Sequence, residues 1–175
     1  MKRSIGPWQL FGFAVTSLVG TLLHFLYDWT GSRFAALFSG VNESTWEHMK
    51  LIFFPMLVFA IIESRFVGRN IGGFWCVKLK GTLLGLILIP VIFYTANGVF
   101  GKTPDRFNIS IFFISAAVAY LYEAFLLKKN PVCRHKKTAI AIFCIIAIAF
   151  WVFTFYPPQI PLFMDPVTLL YGIAT

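Results

Sequence analysis

His24 and Asp28 lie one helical turn apart, and the run Asn42-Glu43-Ser44-Thr45-Trp46-Glu47-His48 follows shortly after them. Together these residues offer two imidazoles and three carboxylates in a chain otherwise poor in charge. Two histidines with a carboxylate suit zinc, iron or manganese and leave coordination positions open for water or substrate. Water on such an ion becomes a usable nucleophile near neutral pH. On this reading His24, Asp28 and His48 are metal ligands and Glu43 and Glu47 are catalytic carboxylates. No H-E-x-x-H or similar metal spacing is present, so the residue types carry the idea and their order does not.

Much of the same run also has a purely structural reading. Ser44-x-x-Glu47 matches a capping box, in which the serine hydroxyl accepts the backbone N–H three residues on and the glutamate returns to the serine N–H. A helix entering lipid needs those first donors satisfied. Trp46 then anchors at the interface, and Lys50 snorkels or pairs with Glu47. Asn42, Glu43 and His48 are left over. The alternative to a metal centre is a hydrogen-bonded polar plug, with His24 on Asp28, Glu47 in its cap and His48 at a helix interface.

The elements that must position these groups are membrane helices. Hydrophobic residues make up 58% of the 175-residue chain, aromatics 18% and charged residues only 13%, with a mean hydropathy of +0.78. This composition belongs to the membrane class. About 20 apolar residues cross a hydrocarbon layer roughly 30 Å thick. Five segments qualify, at about residues 7–28, 45–66, 77–98, 107–127 and 138–156, followed by an apolar tail over 157–175. The predicted fold is all-α, a single polytopic domain with the N-terminus inside and the C-terminus outside. The first segment is longer than a typical signal-peptide core and lacks a clear cleavage site, so it is read as a retained helix.

The net charge of +8 is a topology signal, and no nucleic-acid motif accompanies it. Eleven basic residues fall on the N-terminal side of the predicted bundle and four on the other, a strong positive-inside bias. The basic inner loops are expected to attract anionic lipid head groups, with the bilayer as the main partner. His135, in the basic run before the last helix, reads as a solvated loop residue. Cys76, Cys133 and Cys144 lack C-x-x-C spacing and sit at inner loops or within a span, which predicts reduced thiols with no disulfide or zinc role.

Helical spacing adds detail. Ser17, Thr21, His24 and Asp28 form a narrow stripe expected to face protein. Tyr94 and Asn97, near the outer end of the third helix, are expected to contact a ligand, as is Asp165 in the tail. Asp165-Pro166 reads as a cap opening a short helix over VTLLYGI that roofs the site. Asn108, Ser115, Ala119 and Tyr122 form a small and polar stripe on the fourth helix. Gly81 and Gly85 form a G-x-x-x-G suited to close internal packing, and Pro55 and Pro90 lie mid-span. Glu63 and Glu123 are expected to pair with inner basic residues.

VNESTWEHMKLIFFPML, preceded by GTLLHFLYDWTG and followed near the end by PLFMDP, resembles an uncharacterised family of small bacterial multi-pass membrane proteins, known as a domain of unknown function. The resemblance extends over most of the chain. It implies placement in the bacterial cytoplasmic membrane and no particular activity. Three functions are open at this stage: a metal-assisted hydrolase of a lipid or other amphiphile, a binding or transport protein for a small solute, cation or proton, and an accessory subunit with a structural polar cluster.

Overall fold

The computed structural model describes residues 2–173, with side chains from Ile5 onward. Its helices are α1 (Lys2–Thr30), α2 (Arg33–Ala36), α3 (Thr45–Phe66), α4 (Phe74–Phe100), α5 (Asp105–Leu127) and α6 (Lys136–Phe155), with short 3-10 turns at Gly68–Asn70 and Pro161–Phe163. The described residues contain no named strand, only one isolated bridge between Met164 and Tyr171.

Four helical stretches are long and apolar enough to cross a membrane: Ile5–Thr30, Phe74–Phe100, Asp105–Leu127 and Lys136–Phe155. The expectation of five is corrected to four. α3 has the length, at 22 residues, but carries Glu47, Lys50, Glu63 and Arg65. It is the central helix, packed against α1, α4, α5 and α6, and its buried residues include Leu51, Ile52, Phe53, Phe54, Met56 and Phe59. Its neighbours present the lipid-compatible surface: Leu10 and Leu18 on α1, Val91 and Val99 on α4, and Leu121 and Phe125 on α5 are all exposed. Pro55 and Pro90 lie within continuous helices.

Small residues decide how closely these helices approach. A Cβ at Gly12 would overlap the rings of Phe59 and Tyr120, and one at Gly20 would overlap the Phe112 ring and the Leu51 carbonyl. The inward face of α1 is therefore Ile5, Gln9, Gly12, Thr16 and Gly20, all buried. The expected stripe of Ser17, Thr21, His24 and Asp28 is one residue, about 100°, away. Thr21 and Asp28 are exposed, and Ser17 and His24 are half-buried at the edge. Between α4 and α5, Gly81 packs on the Glu123 side chain and Gly85 on Ala119 and the Ser115 carbonyl. The G-x-x-x-G thus serves internal packing. From the predicted α5 stripe, Ser115 and Ala119 are buried, Asn108 is half-buried and Tyr122 is exposed.

The end of the bundle near the start of α1 is locked by a charged cluster. Lys78 Nζ lies 2.5 Å from both Glu63 Oε2 and Glu123 Oε2, and 3.1 Å from Gln9 Oε1. Gln9 Nε2 in turn donates to Glu63 Oε1 at 2.6 Å. These four buried side chains come from α1, α3, α4 and α5. Both glutamates are paired as expected, but with a lysine inside the bundle.

The reading of all cysteines as reduced is corrected for two of them. Cys76, in the first turn of α4, and Cys133, in the α5–α6 connection, form a disulfide with a Cα–Cα distance of 5.8 Å. They are 57 residues apart in sequence, so local spacing holds no trace of the pairing. Cys144 is a free, exposed thiol. The tail also differs from expectation. Asp165 Oδ1 accepts the backbone N–H groups of Val167 and Thr168 at 2.7 and 3.3 Å, which makes a turn in place of a helix over VTLLYGI. The last two residues of the predicted tail lie outside the described residues.

Candidate functional site

The segment between α1 and α3 folds back along the end of α1. Ser39 Oγ donates to the Leu23 carbonyl and accepts the Tyr27 N–H at 2.9 Å, so one serine satisfies two backbone groups near the helix end. Asn42 then makes two links. Its Oδ1 accepts the Ser44 N–H at 2.9 Å, and its Nδ2 donates to the Gly172 carbonyl at 2.9 Å, tying the tail to this corner. Ser44 caps α3 by accepting the Glu47 N–H at 3.3 Å. Half of the predicted capping box is formed. The other half is not, because the Ser44 N–H is already used by Asn42 and the Glu47 carboxylate turns elsewhere.

Glu47 belongs to a separate, fully buried cluster. Its Oε2 lies 2.6 Å from Lys50 Nζ and accepts the Val41 N–H at 3.1 Å, while its Oε1 accepts from Thr154 Oγ1 at 3.1 Å. Lys50 Nζ also donates to the Ala36 carbonyl at 2.8 Å. Lys50 therefore does not snorkel. It joins α3 to α2 and α6, and Glu47 is committed to it.

The groups that do converge are His24, Glu43 and His48. One donor atom from each lies within 4.8 Å of the others. Glu43 sits between the rings, with Oε1 3.7 Å from His24 Nε2 and Oε2 3.5 Å from His48 Nε2. The rings themselves are 5.4 Å apart. His48 Nδ1 donates to the Ser44 carbonyl at 2.9 Å. That bond fixes the tautomer and leaves the Nε2 lone pair facing the cluster, as a ligating histidine requires. Both imidazoles are half-buried and Glu43 is about half exposed. Two imidazole nitrogens and one carboxylate are a donor set that suits a divalent ion such as zinc.

The remaining expected residues are distributed around this centre. Asp28 is exposed and makes no side-chain hydrogen bond or ion pair among the described residues, so the structure does not bring it to His24. Asn97 lines the adjoining cavity, with its amide engaged by the Phe93 carbonyl and the Thr103 N–H. Tyr94 OH is 3.5 Å from Thr45 Oγ1. Asp165 is buried and holds the tail turn whose Pro166 and Val167 border the cavity. Sequence reasoning missed Gln9, Thr16, Ser39 and Thr154, single polar residues whose partners lie on distant helices. For Gln9, Thr16 and Thr154 the one available signal was their occurrence within apolar helices, whereas Ser39 lies in the connection between α2 and α3 and gave none.

The cavity has a volume of about 550 Å³ and adjoins all three of His24, Glu43 and His48. That size falls in the range of small-molecule sites, roughly 300–1,000 Å³. Leu51, Ile89, Ile111 and Phe112 line it within the bundle, while Lys102, Asp105 and Asn108 lie at its polar rim.

A model of a family of unknown function, DUF6512, matches residues 1–173. The chain belongs to that family. A putative AgrB-like protein from Clostridium beijerinckii is 26% identical to it over 102 residues, which is 58% of this chain and 50% of that protein. The chain thus spans about half the length of this relative. No solved structure matches it. The DUF6512 member described here is a multi-pass, membrane-embedded chain, and the pattern of its helices is consistent with a family recognised across the whole bundle.

Proposed function

We propose that the protein is a metal-dependent hydrolase acting on a lipid or related amphiphile, with His24, Glu43 and His48 holding one divalent ion at the mouth of the cavity. The observation that carries this reading is the convergence of the three donor groups within 4.8 Å beside a cavity with an apolar interior. Three protein ligands leave a position for water, whose proton the ion makes easier to remove. A Glu43 carboxylate bound through one oxygen keeps the second oxygen for that water. Glu47, held by Lys50 and Thr154, is not available for the role. Conduction is less well supported. Between the outer centre and the inner Lys78 cluster, the bundle is filled by groups such as Leu51, Ile52, Phe59 and Phe112, and the Thr16–Tyr120 hydrogen bond is an isolated polar contact there.

In this proposal the protein resides in the cytoplasmic membrane with its N-terminus inside. Lys50 and Lys78 are neutralised inside the bundle. The loops at the end of the bundle that holds the N-terminus carry Arg69, Lys128, Lys129 and Arg134, and on this reading they face inward. Those inner loops attract anionic lipids.

The test is elemental analysis of untagged protein purified without chelators, alongside His24→Ala, His48→Ala and Glu43→Gln. Stoichiometric metal in the wild type that is lost from both histidine variants is expected. Wild type that stays metal-free after incubation with zinc, iron(II) and manganese overturns the proposal.

A further inference from the structure

The cavity has two kinds of apolar wall. Its deep residues, Leu51, Ile89 and Phe112, are buried in the bundle. Its lateral residues, Phe25 on α1 and Ile109 and Phe113 on α5, are 43%, 58% and 37% exposed. These three lie on helices apolar enough to cross a membrane, and each both lines the cavity and keeps exposed surface.

The seam between α1 and α5 explains the opening. In its lower part the helices are drawn together: Gly12 seats against Tyr120, Thr16 Oγ1 and Tyr120 OH are 2.8 Å apart, and Gly20 seats against Phe112. Beyond Gly20, no side-chain hydrogen bond joins α1 to α5 among the described residues, and the cavity occupies the space between them. Phe25 is five residues from the end of α1, and Ile109 and Phe113 are four and eight from the start of α5. At 1.5 Å per residue they sit about 6–12 Å below the helix ends. With the helix ends at the bilayer surface, this is the depth at which the head-group region gives way to acyl chains.

We propose that a membrane lipid enters sideways between α1 and α5, laying one acyl chain against Leu51, Ile89 and Phe112 and bringing its head-group linkage to His24, Glu43 and His48. The assignment of the linkage rests on the metal reading above, while the lateral acyl-chain site stands on the cavity alone. A water-soluble substrate entering past Lys102 and Asp105 would meet a deep end with no polar side chain to hold it. A lipid chain already in hydrocarbon loses nothing in solvation by moving there, and gains contacts with a preformed surface.

The full-length protein, reconstituted in phospholipid vesicles containing a phospholipid with a photoactivatable diazirine on its acyl chain, is irradiated and its adducts are mapped by peptide mass spectrometry. Adducts at Leu51, Ile89 or Phe112 are expected, together with those at Phe25, Ile109 and Phe113. In Phe25→Trp/Ile109→Trp, which fills the mouth, deep labelling should fall to background while labelling of the distant, exposed Leu121 is unchanged. Adducts confined to outward residues such as Leu121 and Ile114 overturn the proposal. The wild-type protein, assayed for metal and for labelling, separates the two readings. Deep labelling in a wild type that stays metal-free after incubation with zinc, iron(II) and manganese sustains the lipid site and removes the hydrolase, whereas bound metal with no deep labelling does the reverse.

Discussion

Lys78→Met tests the charged lock at the end of the bundle near the start of α1. Lys78, Glu63 and Glu123 are each at most 2% exposed, and the single ammonium lies 2.5 Å from both carboxylates. Methionine keeps much of the stem that packs near Phe59, Phe74 and Tyr120, but leaves two buried carboxyl groups with no cation. Breaking one buried ion pair by removing a partner costs about 3–5 kcal/mol. Here one residue serves two pairs, so a loss near the upper end, about 5 kcal/mol, is expected. That is a large share of a typical total stability of about 5–15 kcal/mol. Removing all the charge, as Lys78→Met/Glu63→Gln/Glu123→Gln, should recover most of the loss, to within about 2 kcal/mol of wild type, because a neutral replacement carries no desolvation debt. The assay is reversible unfolding in mixed micelles with increasing SDS, followed by tryptophan fluorescence. A single-variant loss below about 1 kcal/mol, or a triple variant no more stable than the single one, would refute the view that charge compensation holds this end together.

Four further outcomes follow from particular contacts. Ser44→Ala removes the α3 cap and should cost about 1 kcal/mol in the same unfolding assay, while Ser44→Asp should retain most of it; equal losses in the two would discredit the cap. Gly81→Ala drives a methyl group into the Glu123 carboxylate and should destabilise by about 1–3 kcal/mol, whereas Gly98→Ala, with open space around it, should be neutral or stabilising; the comparison fails if Gly81→Ala is silent. Alkylation of denatured, unreduced protein should modify Cys144 alone, and reduction should add Cys76 and Cys133; three reactive thiols before reduction would contradict the disulfide. Metal affinity should fall on acidification, because imidazole must be neutral to ligate, and titration by calorimetry at several pH values would expose a pH-independent site as something other than His24 and His48.

Helix boundaries were largely legible in the sequence because they follow from local properties. Hydropathy and capping place α3 at residues 45–66 in both the reading and the structure. The other long helices are extended by a few residues at one or both ends, apart from a one-residue shortening at the end of α6. Membrane class, helix content and the gathering of His24, Glu43 and His48 toward one end also follow from composition and spacing. Sequence could not set the rotation of each helix about its axis. On α1 a polar stripe through His24 and a small-residue stripe through Gly12 and Gly20 lie about 100° apart. The small residues turned inward, because helix association in lipid depends on close packing more than on polarity.

That rotation decided the site. It left Asp28 exposed and His24 at the edge of the cavity. It also left Glu43, in a loop with no periodicity to orient it, as the group between the two imidazoles. Glu47 went to Lys50 because both lie on the inward face of α3, where a buried charge requires the nearest counterion. The union of Cys76 with Cys133, and of Gln9 with Glu63 and Lys78, likewise joins residues far apart in the chain. By itself the sequence determined which segments are helices and which residue types could bind a metal. Tertiary packing alone decided which of those residues meet, since contacts between helices depend on rotation and neighbour, and neither is encoded in local spacing.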